Sequence, residues 1–264
     1  LIMIAGFTLM SLRTDKNHRG PDDRKKIAGK VRGLKISLSL LMLFLLVSVA
    51  YRPIADLQKG TLRVTAIDVG QGSSMLVQFP QGRKMLIDGG GFYEDSFDVG
   101  RYVVAPYLWH EKIITLDVMV LTHIHPDHLN GLIFITKNFN VKEVWMSGQT
   151  AETESYREFM RLIKAKNIPV RIVSRETPPL VLGGVIVEIF NPEHPLGDQD
   201  GSETFEDINN QSIVMKLTFG KIGVLLPADI SHTSESRLIR AGDDLRIDIL
   251  LVPHHGGRTS STPS

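Results

Sequence analysis

The feature that most constrains this chain is a buried-looking strand that leads directly into a cluster of metal-capable side chains. Residues 116–122 read LDVMVLT, and the next six positions include His123, His125, Asp127 and His128. A strand that is apolar on both faces must be covered on both faces, which favours a sheet inside a layered α/β protein. A loop rooted on such a strand can aim imidazole and carboxylate groups into one pocket, and these groups suit zinc, manganese or iron.

The rest of residues 61–264 alternates strand and helix patterns. Strands are predicted at 61–68, 74–79, 84–88, 143–146, 170–173, 185–190, 212–219, 222–226 and 247–252, and helices at 97–110, 129–139, 153–166 and 231–241. Two runs of strands, each closed by helices, indicate two sheets packed face to face with helices outside. The predicted fold is therefore an αββα sandwich.

The first sixty residues have a different character. Residues 1–12 are apolar and resemble the end of a truncated transmembrane helix, 13–33 form a basic loop, 34–51 are predicted to span a membrane, and 52–60 form a linker. The alternatives for 34–51 are a cleaved signal peptide or a buried core helix. Basic residues before this span predict a cytoplasmic loop and an extracytoplasmic domain at 61–264. We expect the chain to be part of a longer multi-pass membrane protein, cut at both ends.

Composition limits the possible functions. The chain has no cysteine, so any metal must be bound by histidine and carboxylate groups. Residues 53–264 carry 20 basic and 26 acidic side chains. A domain that binds nucleic acid through its phosphates usually has more basic than acidic residues. Residues 53–264 have fewer basic than acidic residues, which counts against a nucleic-acid-binding surface.

The motif His-x-His-x-Asp-His after an apolar strand resembles the signature of the metallo-β-lactamase superfamily. The resemblance implies that His123 and His125 bind one metal and that Asp127 and His128 bind the second. It further implies that Asp229, after the apolar run 224–226, bridges both metals, with helix capping as the alternative role.

The same resemblance implies a histidine ligand after the last strand, where the chain has His254 and His255. We expect His254 to be the ligand and His255 to line the site as an acid. The superfamily's third histidine for the first metal is missing, and its window holds Asn209 and Asn210, so an amide or water would replace the imidazole.

A closer resemblance is to the extracytoplasmic domain of the ComEC family, the inner-membrane DNA-uptake channels of competent bacteria. The matching stretches are AIDVGQGSSMLVQ (66–78), KMLIDGGG (84–91), LTHIHPDHLNG (121–131), NNQSIVMKLTFG (209–220) and DILLVPHHGGRTSSTP (248–263). In that family Asn-Asn-x-Ser stands where others have the third histidine. The resemblance implies DNA as substrate, a membrane location and other DNA-uptake proteins as partners.

Weaker candidates surround the proposed site. Asp68 and the Gln71-Gly72 turn follow a strand and either reach the metals or only form a turn. Asp88 is expected to orient the histidine loop, with a capping role as the alternative. In the loop after the two histidines, Arg258 and Ser260 are weak candidates for phosphate contacts. The aromatic residues are too scattered in the sequence to predict a base-stacking platform.

Together these features predict a metal-dependent hydrolase that uses two divalent ions, zinc or manganese, with Asp127 and Asp229 as central groups. Such a pair activates water for attack on an ester, and the resemblance makes a DNA phosphodiester the expected substrate. The alternatives are a hydrolase of the same fold acting on a phosphocholine ester or a lactone, and an inactive module that docks DNA or channel partners.

Overall fold

The computed structural model describes residues 21–58, 60–93, 97–196, 204–242 and 244–261. The chain divides into two compact units, Leu1–Ala55 and Asp56–Ser264. The expected partial span at 1–12 and the start of the basic loop, 13–20, lie outside the described residues.

The first unit contains one long helix, α1 (Pro21–Gln58), whose end extends beyond the unit boundary. Its segment Lys25–Ser48 is long and apolar enough to cross a bilayer, with a mean hydropathy of 1.8 and no buried residues. Residues 21–33 and 52–58, expected as loop and linker, are helical instead. Pro21 is tolerated in a first turn, and the Lys, Arg and Ala residues that follow are good helix formers, so nothing ends the helix at residue 33.

The second unit consists of short strands and helices. Its strands are β1 (Arg63–Ala66), β2 (Met75–Gln78), β3 (Lys84–Ile87), β4 (Thr115–Leu116), β5 (Val118–Leu121), β6 (Asn140–Val141), β7 (Val144–Met146), β8 (Val170–Ile172), β9 (Leu180–Leu182), β10 (Val185–Asn191), β11 (Val214–Phe219), β12 (Ile222–Leu226) and β13 (Ile249–Leu250). Its helices are α2 (Ala105–His110), which continues a π-helical turn at Gly100–Val104, α3 (Pro126–Asn138), α4 (Glu154–Ala165), α5 (Phe205–Asn210) and α6 (His232–Arg240). Short 3₁₀ turns lie at Pro80–Gly82 and Pro253–Gly256.

The strands form two mixed sheets and a small two-stranded pair. The first sheet has the order β1-β2-β3-β5-β7-β8 and the second has the order β13-β12-β11-β10-β9, while β4 pairs with β6. Strands β3, β5, β7 and β8 run parallel, whereas β10, β11 and β12 are antiparallel neighbours.

Alternating side chains divide the apolar interior into layers. On β5, Val118 and Val120 pack between the two sheets, while Met119 and Leu121 pack against the helices on the outer face. The second sheet alternates in the same way, with Leu225 of β12 packed in the layer that includes helix α6. Because both faces of the central strands are buried, their sequences are almost continuously apolar. The predicted αββα sandwich is confirmed.

Two predicted boundaries were wrong near the histidine motif and near the end of the chain. Helix α3 begins at Pro126, not at residue 129, because proline fits the first helical position and His125 precedes it in an extended conformation. Asp127 and His128 are therefore helical. The last strand was expected over 247–252, but only Ile249 and Leu250 pair with β12.

Glycine allows the histidine-bearing helix to approach its neighbours through backbone contacts. A Cβ atom on Gly131, in α3, would overlap the carbonyl oxygen of Gly89. Gly72 has φ of +95°, and a Cβ atom there would overlap the carbonyl oxygen of Asp127. The neighbouring Ser73 N–H donates to that same oxygen at 3.3 Å. The start of α3 is thus held in position by two loops that follow β1 and β3.

Candidate metal centre

The site is built around a buried carboxylate at the end of β3. Asp88 is 1% exposed and has a left-handed backbone, with φ of 57°. Its Oδ1 accepts a hydrogen bond from the Thr122 N–H at 2.9 Å, and its Oδ2 accepts one from the Thr122 hydroxyl at 2.8 Å. Oδ2 also lies 2.8 Å from Nδ1 of His128. Asp88 therefore joins the ends of β3 and β5 to the first turn of α3.

These hydrogen bonds determine which ring nitrogen of His123 and of His128 faces the interior of the site. The Thr122 hydroxyl gives its proton to Asp88, so its oxygen accepts from His123 Nδ1 at 3.1 Å. His128 Nδ1 donates to Asp88 in the same way, which directs Nε2 of both rings to the interior of the site. Both Nε2 atoms are buried, and neither forms a hydrogen bond of good geometry within the described part of the chain, although His128 Nε2 lies 3.3 Å from Asp229 Oδ2.

Four side chains converge into what we call the acidic cluster: Asp127, His128, Asp229 and His255. Their potential ligand atoms all lie within 4.8 Å of one another. Asp229 Oδ2 lies 3.3 Å from His128 Nε2 and 3.1 Å from His255 Nε2. Asp127 Oδ2 is 4.0 Å from His128 Nε2 and 3.8 Å from His255 Nε2. Two carboxylates and two imidazoles thus face a common point, although they come from three separate parts of the chain.

Asp229 enters this cluster from the loop between β12 and α6. Ala228 before it has a left-handed backbone, with φ of 50°. Helix α6 is capped by Ser231, whose hydroxyl accepts from the Thr233 N–H. Asp229 does not cap this helix, and its carboxylate lies in the acidic cluster instead.

The structure brings His255, and not the favoured His254, into the acidic cluster. His254 Nδ1 lies 3.0 Å from the Thr259 hydroxyl and its Nε2 lies 3.4 Å from Nδ2 of Asn209, whereas His255 contacts Asp229. The two adjacent histidines have left-handed backbones, with φ of 49° and 52°. In such a turn the two neighbouring side chains point in different directions. The amino-acid sequence does not indicate which of them points toward Asp229.

A second group, which we call the imidazole pair, consists of His123 and His125. Their ring centroids are 4.8 Å apart, and the His123 ring is also 4.0 Å from that of His128. His125 Nε2 is buried without a hydrogen bond in the described residues, as is Nε2 of His123. The pair therefore offers two unused nitrogen atoms beside the acidic cluster.

The two candidate asparagines differ in what they do. Asn209 is buried beside His125, and its Oδ1 has no hydrogen-bond partner in the described part of the chain. Asn210 Oδ1 accepts from the N–H and the hydroxyl of Ser231, at 3.1 and 2.9 Å. Asn209 thus has a free oxygen facing the imidazole pair, while Asn210 holds the loop that follows Asp229.

The electrostatic states of the two groups differ. Burial lowers the pKa of His123 well below its usual value, and it lowers the pKa of His125 to about 4. Burial also acts to lower the pKa of His128, but Asp88 and Asp229 outweigh it and raise that pKa to about 10. Burial favours a raised pKa for Asp229, yet contacts with His128 and His255 hold it far below its usual range. The imidazole pair is therefore neutral at pH 7, whereas in the acidic cluster an ionised Asp229 faces the protonated imidazole of His128.

The weaker candidates have mostly structural contacts. Asp68 is exposed and its carboxylate accepts from the Gly70 N–H at 3.2 Å, which closes a turn. Gln71 is exposed, and Gly72 contacts the backbone of Asp127 as described above. Arg258 is exposed to solvent.

Ser260 is not available for the expected phosphate contact. It is 6% exposed, and its hydroxyl lies within hydrogen-bond distance of two carbonyl oxygens, that of Pro253 at 3.0 Å and that of Gly257 at 3.1 Å. A hydroxyl with one proton that already faces two carbonyl oxygens has no donor left for a ligand. Ser260 instead closes the loop that carries the two histidines.

Sequence reasoning missed three residues at this site. Thr122 was read as the last residue of a strand, although a threonine directly before a histidine motif was a usable signal. Tyr93 and Phe205 approach the site from distant loops, and Phe205 stacks on His125 with ring centroids 3.8 Å apart. No local pattern in the sequence links these two aromatic residues to the histidines.

The donor atoms fit divalent cations. Buried nitrogen and oxygen atoms without hydrogen-bond partners normally carry a cost, and here four of them face one region: Nε2 of His123, His125 and His128, and Oδ1 of Asp127. Imidazole nitrogen with carboxylate oxygen is a ligand set that suits zinc and manganese. The structure therefore contains a candidate metal-binding cluster of Asp and His residues.

Comparisons with known proteins agree with this geometry. Residues 67–264 match the profile of the Metallo-beta-lactamase superfamily. The chain is 26% identical over 209 residues to ComE operon protein 3 of Bacillus subtilis (strain 168), covering 75% of this chain and 26% of that protein. It is 27% identical over 207 residues to Recombination protein 2 of Haemophilus influenzae, covering 78% of this chain and 23% of that protein. Both relatives are ComEC-family competence proteins, so the predicted resemblance is confirmed.

The chain spans about a quarter of the length of these relatives. Among solved structures, the MIM-2 metallo-β-lactamase aligns with a TM-score of 0.45 and 15% identity, covering 75% of this chain and 74% of that chain.

Proposed function

Because the chain belongs to the metallo-β-lactamase superfamily, we propose that residues 61–264 form a two-metal phosphodiesterase that cleaves DNA during uptake across a membrane. The observation that carries the proposal is the acidic cluster, in which two carboxylates and two imidazoles meet beside the unpartnered nitrogens of the imidazole pair. The relatives named for the competence operon and for recombination give DNA as the substrate class.

In this proposal the acidic cluster binds one cation, through Asp127, His128, Asp229 and His255. The imidazole pair binds the other, together with Asp229 and the free amide oxygen of Asn209. The buried, unpartnered state of that oxygen supports its role in place of a third imidazole. Bound divalent cations would polarise a phosphoryl oxygen and lower the pKa of water, which are the two requirements for phosphodiester hydrolysis.

The chain's own groups prepare the site for this chemistry. Asp88 and Thr122 orient His123 and His128 from the ends of two sheet strands, so the ligand atoms are positioned before a cation binds. His255 is the most exposed member of the acidic cluster, with 37% of its side chain accessible. Substrate therefore approaches from the side of His255.

The apolar helix supports a membrane-anchored protein. Six Lys or Arg residues lie at positions 24 to 35, before the uncharged run of residues 36–50. By the positive-inside rule this end is cytoplasmic and the hydrolase domain lies outside the cytoplasm, in contact with other DNA-uptake proteins. The acidic balance of residues 53–264 implies weak intrinsic affinity for the DNA backbone, so a partner would deliver the strand.

The test uses the 264-residue chain purified in detergent, stripped of metal and supplied with Mn²⁺ or Zn²⁺. We expect metal-dependent cleavage of end-labelled linear DNA, and we expect Asp127→Ala to lower kcat/KM at least about a hundredfold, or about 2.7 kcal/mol. The matched control is Asp98→Ala, since Asp98 is exposed and contacts the N–H of Arg101.

Parallel assays with a phosphocholine ester and a lactone distinguish the alternatives. Turnover of either ester with DNA left intact would contradict the nuclease proposal and favour another hydrolase of this fold. DNA binding without turnover of any substrate, under both metals, would instead indicate a docking module.

A further inference from the structure

Two exposed aromatic side chains lie at the edge of the candidate metal centre. Phe205 and Tyr93 are each 53% exposed, and their ring centroids are 6.4 Å apart with a tilt of 32°. This separation is within the range of interacting aromatic pairs. Tyr93 lies in a loop and Phe205 begins helix α5, and the two rings form one apolar surface that faces solvent, unlike the fully buried Trp145 and Phe159.

Phe205 is tied to the imidazole pair by both stacking and helix geometry. Its ring lies almost parallel to that of His125, with an interplanar angle of 18°. It occupies the first position of helix α5, where Thr204 and Asp207 form a reciprocal capping box. Asn209, four residues later, lies on the same helical face. The short helix therefore presents one aromatic ring and one amide to the same histidine.

Tyr93 lies on the side of the acidic cluster. Burial, followed by the charges of Asp127 and Asp229, raises the pKa of its hydroxyl above the usual value. Its ring is about half exposed, so the ring is accessible to a ligand.

We propose that Tyr93 and Phe205 form a stacking platform for a nucleobase of single-stranded DNA, next to the phosphate that the metal centre cleaves. The inference rests on the proposed function and adds the positioning of the substrate. Because the Phe205 ring stacks on His125 and the Tyr93 ring lies next to Phe205, a base resting on the two rings would leave its own phosphate beside the candidate ligands.

The charge balance of the domain favours stacking over phosphate attraction as a source of affinity. A surface with more acidic than basic residues gains little from attraction to phosphates, whereas stacking on aromatic rings is independent of charge and tolerant of sequence. A base inside a duplex is already stacked and paired, and would have to be flipped out at a cost. The platform therefore favours a single strand or a frayed end.

The experiment compares two hydrolysis-resistant phosphorothioate oligomers of equal length, one an oligothymidylate and the other lacking all bases. Binding to the full chain in detergent with Mn²⁺ is followed by fluorescence anisotropy, and the ratio of the two affinities isolates the contribution of the bases. We expect the wild-type protein to favour the thymidylate at least about tenfold, since each stacked base contributes about fivefold or more.

Single variants assign this preference to the two rings. Tyr93→Leu and Phe205→Leu should each reduce the ratio about fivefold or more, while Tyr93→Phe and Phe205→Trp should retain it. The matched control is Tyr102→Leu, because Tyr102 is 56% exposed and stacks on Phe97, 5.3 Å away. Thermal melting and metal content of each variant report on folding and on the position of His125.

The outcomes separate the inference from the function on which it rests. An affinity ratio near one in the wild-type protein, or one unchanged in both leucine variants, would overturn the platform even if DNA is cleaved. A base preference that depends on both rings, in a protein that cleaves neither DNA nor a base-free phosphodiester oligomer, would support the platform and remove the nuclease proposal.

Discussion

The acidic cluster and the imidazole pair use the same imidazole group in opposite electrostatic states. In the acidic cluster, the carboxylates of Asp88 and Asp229 outweigh burial and raise the pKa of His128 to about 10, so positive charge is favoured there even without a cation. In the imidazole pair, burial dominates and lowers the pKa of His125 to about 4. The difference teaches that the neighbouring carboxylates, and not the histidines, determine where a cation is held most strongly. We therefore expect a tight site at the acidic cluster and a weaker one at the imidazole pair.

The largest expected effect comes from removing the carboxylate that serves both groups. Asp229→Asn should weaken metal binding more than about a hundredfold, because loss of even an orienting partner outside the ligand set costs 10- to 100-fold. Isothermal titration with Mn²⁺ on the metal-stripped chain measures this, with Asp98→Asn as the exposed control. Retention of two sites of unchanged affinity in Asp229→Asn would show that the two groups do not share this residue.

The next effect concerns the buried carboxylate that orients the ligands. Asp88→Asn keeps the size of the side chain but loses acceptors for the Thr122 hydroxyl and His128 Nδ1. Metal affinity at the acidic cluster should fall about 10- to 100-fold. The same titration tests it, and an affinity equal to that of the unaltered chain would mean that the histidines are held by packing alone.

The weaker site can be strengthened by one isosteric change. Asn209→Asp places a carboxylate beside the imidazole pair, which should tighten the second cation about tenfold, or about 1.4 kcal/mol, through added charge. Asn210→Asp is the matched control, because its oxygen is already engaged by Ser231. If both variants bind the second cation equally, the assignment of Asn209 to that site fails.

The smallest expected effect separates the adjacent histidines. Asparagine tolerates the left-handed backbone of both positions, so His254→Asn and His255→Asn are matched in strain. His254→Asn should change metal affinity by about twofold or less, typical of a residue outside the site, while His255→Asn removes a ligand and should have a clearly larger effect. Equal losses in the titration would place both imidazoles in contact with cations.

Much of the architecture was predictable because it is encoded locally. A helix was expected over 153–166, and helix α4 covers Glu154–Ala165, with the Thr153 side chain accepting from the Tyr156 N–H at its start. The layered fold followed from strands that are apolar at every position, as in 118–121, since only burial on both faces accommodates them. The meeting of the His123 region with Asp229 was expected from the family resemblance, not from any local pattern.

The remaining features depend on tertiary geometry. Which of two adjacent histidines faces the carboxylates depends on the orientation of a left-handed turn. The aromatic pair Tyr93 and Phe205 is separated by more than a hundred positions in the chain, so composition suggested scattered rings where the fold brings them together. Ser260 was mistaken for a ligand contact because the sequence cannot tell an exposed hydroxyl from one buried against a carbonyl oxygen.

Gly131 lies in the middle of an ordinary helix and has no side chain to take part in chemistry, yet its backbone touches that of Gly89. A methyl group added at Gly131 would push the helix away from Gly89. Asp127 and His128 lie in the same helix and would be displaced with it. Random mutagenesis screened for loss of activity should therefore recover substitutions at Gly131 as often as substitutions at the candidate ligands. Such a substitution would reduce catalytic activity although no reactive side chain had been changed.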